Sequence, residues 1–116
     1  MANKYDFNVT QGANFKPSII WKDANGNPVD LTGYTAKMQV RKEPADTSYL
    51  IELSTANSRI SIPTPANGTI EFNISSADTL GLASGTYKYD LMMTDSGGVV
   101  TKLVYGAFTV DAGITR

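Results

Sequence analysis

The stretch Ser75–Val110, SSADTLGLASGTYKYDLMMTDSGGVVTKLVYGAFTV, decides how this chain folds. Tyr87, Tyr89, Leu91 and Met93 alternate with Lys88, Asp90, Met92 and Thr94. That period of two is the mark of a strand with one buried face. Asp95-Ser96-Gly97-Gly98 then supplies the residues of a hairpin turn, and Val99–Val110 returns as a second long strand. Gly106 inside that strand predicts a bulge or a close approach of another backbone. Ahead of the pair, Ser75–Ala83 is the one helical candidate. Ser76 is placed to cap a single turn ending at Leu80, and Gly81 and Gly85 stop it from growing.

Alternation continues outward from this stretch. Tyr5, Phe7 and Val9 predict a strand over Lys4–Thr10, and Phe15, Pro17, Ile19 and Trp21 predict another over Asn14–Lys22. Pro17 lacks an N–H, which points to an edge, a bulge or a strand start. Asn25-Gly26 is a tight-turn signal. Tyr34–Arg41 alternates as a half-buried strand, as do Tyr49, Ile51 and Leu53. Ile60 and Ile62 face Ile70, Phe72 and Ile74 across the loop Pro63–Gly68, a hairpin with a longer connection. About nine short strands separated by turn signals predict a sandwich or barrel. One domain over residues 1–116 is the simplest account.

Composition narrows the chemistry. The chain has no Cys and no His, which removes thiol nucleophiles, imidazole bases and most transition-metal sites. Ten basic and eleven acidic residues leave a formal charge of −1, without the basic excess that phosphate binding uses. No apolar run approaches the roughly 20 residues that span a bilayer. The start, MANKYDFNVTQG, lacks the shape of a signal peptide. A soluble protein made in the cytoplasm is expected, with no cofactor, no nucleic acid and no membrane among its partners.

Candidate sites are few. Asp23, Asn25, Asn27 and Asp30 offer oxygens at short spacing, as a calcium loop would. The EF-hand pattern needs a Glu at its twelfth position and has none here, and Asx residues populate turns for backbone reasons alone. No serine sits in G-x-S-x-G and no Gly-rich loop ends in Gly-Lys-Ser/Thr, so an enzyme is not expected. Asp90 is expected to pair across strands with Lys37 or Arg41. Tyr49 and Tyr105 are open to either face. With the hairpin Asp95, Ser96, Gly97 and Gly98 they form the candidate interaction surface.

Asp78-Thr79 lies shortly before Tyr87, two residues ahead of Tyr89. Immunoglobulin-like sandwiches place a tyrosine at this corner, with its hydroxyl bonded to backbone a few residues upstream. The predicted fold is therefore all-β, an immunoglobulin-like antiparallel β-sandwich with one short helical turn. The structural corner is assigned to Tyr87, Asp78 and Trp21, with Trp21 packing where antibody domains have a disulfide.

Four pieces follow one another in the chain: TQGANFKPSIIWKDANGNPVDLTGYTAKMQVRKE (Thr10–Glu43), NGTIEFNISSADT (Asn67–Thr79), SGTYKYDLMMTDSGGVV (Ser84–Val100) and YGAFTV (Tyr105–Val110). In these pieces and their order the chain resembles small immunoglobulin-like structural proteins of tailed bacteriophages. A similar order of motifs occurs in N-terminal domains of phage upper-baseplate and fibre-attachment proteins. The resemblance implies a non-enzymatic virion component of tail, baseplate or head, made in the host cytoplasm. It would dock on other virion proteins, as a homo-oligomer or in many copies. The alternative reading is a carbohydrate or cell-surface binding module.

Overall fold

A computed structural model of the chain describes residues 3–43 and 45–112. In chain order the strands are β1 (Asn3–Lys4), β2 (Phe7–Thr10), β3 (Ser18–Ile20), β4 (Thr35–Arg41), β5 (Ile51–Ser54), β6 (Ile60–Ser61), β7 (Thr69–Phe72), β8 (Gly85–Thr94) and β9 (Val100–Asp111). A 3-10 turn at Pro65–Asn67 joins β6 to β7, and the helical turn α1 (Ser76–Leu80) joins β7 to β8. Ser75 caps α1, its side chain accepting the Asp78 N–H, where Ser76 was expected to do so. Ser75 has the extended backbone of a cap, while Ser76 is already the first helical residue.

The strands form two sheets. One has the order β1-β9-β8-β4-β5, with β2 also on β9, and the other has the order β3-β7-β6. Pairing is antiparallel except where β1 and β2 run parallel to β9. Lys4 opposes Tyr105 and Phe7 opposes Phe108, so β1 and β2 keep one register. The single strand expected over Lys4–Thr10 is broken because the Asp6 carboxylate accepts the Ala107 N–H at 2.9 Å in place of a backbone carbonyl. The strand expected over Asn14–Lys22 shrinks to three residues, with Phe15 and Lys22 held only by isolated bridges to Ile74 and Pro28.

The inward residues of both sheets meet in one core. Phe7 is its aromatic hub, with ring centroids 5.5 Å from Phe15, 5.4 Å from Phe72 and 5.1 Å from Tyr89. Such edge and tilted contacts suit the aromatic quadrupoles. Trp21 does not fill this place. It is half-buried at the margin of the core, its ring 5.8 Å from the Tyr34 ring.

Two features shape β9. The register slips between Leu91 and Met92, which oppose Val104 and Lys102, so Leu103 is the extra residue of a bulge. Leu103 and Val104 are consecutive and both buried, which strict alternation forbids. At Gly106 there is instead a close approach: a Cβ there would press on the Tyr5 carbonyl and come within 2.6 Å of the Asp6 Oδ1. The Tyr89 hydroxyl donates to that same Tyr5 carbonyl. Burial pushes the hydroxyl well above its ordinary pKa, and the nearby Asp6 and Tyr5 add to the shift.

A first strand parallel to the last, consecutive strands divided between two sheets, and a helical turn leading into the β8 corner define the architecture. The fold is an all-β, immunoglobulin-like sandwich.

Candidate functional site

β4, β5, β8 and β9 turn alternate side chains away from the core, and register aligns them in rows. Tyr105 opposes Asp90, Asp90 opposes Gln39, and Gln39 opposes Glu52. On the other flank Lys4 opposes Tyr105. One row thus crosses β1, β9, β8, β4 and β5 as Lys4, Tyr105, Asp90, Gln39 and Glu52. The next rows place Lys88 beside Arg41 and Lys102 beside Met92, which neighbours Lys37.

Polar contacts fix these side chains. The Gln39 amide donates to Glu52 Oε2 at 2.6 Å, and the Arg41 guanidinium donates to Gln39 Oε1 at 2.5 Å. Lys88 pairs with Glu43 at 3.3 Å. Asp90 pairs with Lys102 at 3.5 Å rather than with Lys37 or Arg41. Register explains the difference: Asp90 stands opposite Gln39, and the Leu103 bulge brings Lys102 to its other side. These pairs are exposed, where ion pairs add little stability and mainly set surface charge.

The face is basic. Lys4, Lys37, Arg41, Lys88 and Lys102 stand against Glu43, Glu52 and Asp90, in a chain whose formal charge is −1. A shallow depression of about 570 Å³ runs along it, lined in part by Lys4, Arg41, Lys88, Asp90, Lys102 and Tyr105.

The candidate surface residues are not brought together. Tyr105 lies on this face between Lys4 and Asp90, 43 % exposed. Tyr49, 49 % exposed, lies beyond the Arg41 end of β4, with the guanidinium 5.9 Å from its ring centroid. Asp95, Ser96, Gly97 and Gly98 form the hairpin at the other end of β8. The Lys88 and Thr94 rows are roughly 20 Å apart at the usual strand rise. Asp95 Oδ1 accepts the Gly97 and Val99 N–H groups at 2.8 and 2.9 Å, so its carboxylate serves the turn.

The corner residues also separate. The Tyr87 hydroxyl donates to the Ala83 carbonyl at 3.0 Å. Asp78 turns away to Arg59, at 3.2 Å, and Trp21 packs on Tyr34. In the Asx loop, Asp23 Oδ1 accepts the Asn25 and Asn27 N–H groups, while Asp30 accepts from Thr32. Their oxygens serve two separate turns. Sequence reading missed Lys4, Gln39, Lys88 and Lys102 as members of one face. Alternation marked the outward residues of each strand, but only cross-strand register joins them.

No family model and no curated protein matches the chain. Among solved structures, Drosophila OTK extracellular domains 3-5 are similar over 90 % of this chain, at 15 % identity and a TM-score of 0.37. The chain spans about a third of that structure's length, the covered share being 32 %. The class of fold rests on the strand order and registers above. No helix among the described residues is long and apolar enough to cross a membrane.

Proposed function

We propose that this chain is a non-enzymatic structural component of a tailed-phage virion, docking through the outer face of its six-stranded sheet onto an acidic protein surface. The observation that carries the docking mode is the ordered set of outward side chains beside the exposed Tyr105, in which Lys4, Lys37, Arg41, Lys88 and Lys102 outnumber Glu43, Glu52 and Asp90. Tyrosine gives large contact area at low entropic cost, and charges around it set register and encounter rate. The virion setting comes from the ordered motifs of the sequence. A composition with neither His nor Cys favours holding over catalysis. Repetition of the chain around a ring or shell makes modest contacts effective through avidity.

The test is incorporation. Mass spectrometry of purified particles should find the native chain. Lys88→Glu with Lys102→Glu, or Tyr105→Ala, should fold normally and be depleted from particles at least tenfold. Absence of the native chain from particles, or unchanged incorporation of the variants, overturns the proposal. A specific glycan-array signal lost in Tyr105→Ala would favour a carbohydrate-binding module instead.

A further inference from the structure

A β-sandwich has open sheet edges, and each is a template for another strand unless something blunts it. The β5 edge is sealed by side chains. The Glu52 carbonyl accepts from Asn57 Nδ2 at 2.9 Å and from Arg59 Nη1 at 3.1 Å, and the Ser54 N–H donates to Asn57 Oδ1 at 2.9 Å. The β6 edge is two residues long. The edge formed by β1 and β2 is interrupted where Asp6 bonds to β9.

The β3 edge is different. Phe15 and Ile74 exchange both backbone bonds at 2.9 Å, the Phe72 N–H donates to the Pro17 carbonyl, and the Trp21 N–H donates to the Gly68 carbonyl. Odd-numbered residues therefore bond across to β7 and its extensions, and the N–H and C=O groups of Ser18 and Ile20 point the opposite way. Among the described residues, β7 is the one strand paired with β3, because β1 and β2 both join β9. Ile20 is 54 % exposed. Beside this edge a groove opens toward the core, lined by Tyr5, Ile19, Trp21 and the bulge residue Leu103.

Charge identifies the occupant. Lys4 and Lys22 line the groove, and Lys16 precedes β3. Among the described residues none of the three takes part in an ion pair. Asp23 is the carboxylate of the groove, and its Oδ1 is occupied by the turn N–H groups of Asn25 and Asn27. We propose that the β3 edge takes up an extended strand of another protein, with apolar side chains at alternate positions and acidic residues at its ends. Main-chain bonds to Ser18 and Ile20 would supply affinity, and the groove and lysines specificity. A second copy of this chain fits worse. Antiparallel β3–β3 pairing would bring Lys16 of one copy toward Lys22 of the other.

Trp21 is the one tryptophan of the chain and lines the groove, so its emission reports occupancy. Peptide DDVTVTVDD added to the full chain should shift the emission saturably to shorter wavelength and slow exchange of the Ser18 and Ile20 amides. Peptide KKVTVTVKK should bind at least tenfold more weakly. Ile20→Pro removes an outward N–H that β7 does not use, and should weaken DDVTVTVDD at least tenfold. Lys16→Glu with Lys22→Glu leaves the backbone intact and should reverse the preference between the peptides, which keeps the test decisive if the proline variant fails to fold. The proposal is overturned by the absence of saturable binding, by equal binding of both peptides to the native chain, or by a native dimer that Ile20→Pro dissociates.

Discussion

The Tyr87 hydroxyl reaches back four residues to the Ala83 carbonyl, at 3.0 Å, and ties the start of β8 to the loop that follows α1. The ring itself is buried, with Lys42 Nζ 5.4 Å from its centroid. Tyr87→Phe keeps the ring and deletes the bond. It should destabilise the domain by about 0.5–1.5 kcal/mol, the usual net value of such a hydrogen bond. Chemical denaturation should show a lower midpoint with an unchanged slope. An unchanged midpoint would remove the corner from the stability of the fold.

Gly106 should not tolerate even a methyl group. A Cβ there meets the Tyr5 carbonyl and Asp6, both tied into β1 and its junction with β2. Gly106→Ala should cost about 1–3 kcal/mol, as overpacking does. Amide exchange should quicken first at Tyr5, whose N–H donates to the Tyr105 carbonyl at 2.8 Å. Exchange accelerated only elsewhere would refute the close-approach explanation.

Tyr89 makes stability depend on alkaline pH. Burial holds its hydroxyl protonated in the folded state above the unfolded value of about 10. Between the unfolded and folded pKa values the native state binds the extra proton, so stability falls as pH rises. The stabilisation is complete below the unfolded pKa and is lost progressively above it. Melting midpoints measured between pH 9 and pH 11.5 (roughly spanning the unfolded value) should fall more steeply for the native chain than for Tyr89→Phe. Parallel slopes would contradict the assignment.

Asp30 offers a local check on the loop before β4. Its carboxylate accepts the Thr32 hydroxyl at 2.6 Å and the Thr32 N–H at 3.0 Å, and these bonds hold its pKa below the usual carboxylate value. A chemical-shift titration should give Asp30 a lower midpoint than an unstructured aspartate. Thr32→Ala, which deletes the larger contribution, should move that midpoint upward. No movement would show that the hydroxyl does not set it.

Much of the fold was legible because burial on one face of a strand writes itself into the sequence with a period of two. Tyr87, Tyr89, Leu91 and Met93 read as inward and are buried, and Ile60 opposes Phe72 as the hairpin reading required. The break at Tyr5–Asp6 was not legible. It needs Ala107, which lies 101 residues further along the chain, to come within reach of the Asp6 carboxylate. The bulge at Leu103 was hidden for a related reason: a slip in register is a relation between two strands.

The sequence by itself determined the class of structure, because side-chain type, alternation and turn residues are local properties. Only the tertiary structure decided which outward residues share a face. It set Tyr105 between Lys4 and Asp90, parted Tyr49 from the Asp95–Gly98 hairpin, and left Ser18 and Ile20 with backbone groups turned to an open edge. Each of these depends on strand order and register, and long-range pairing fixes both.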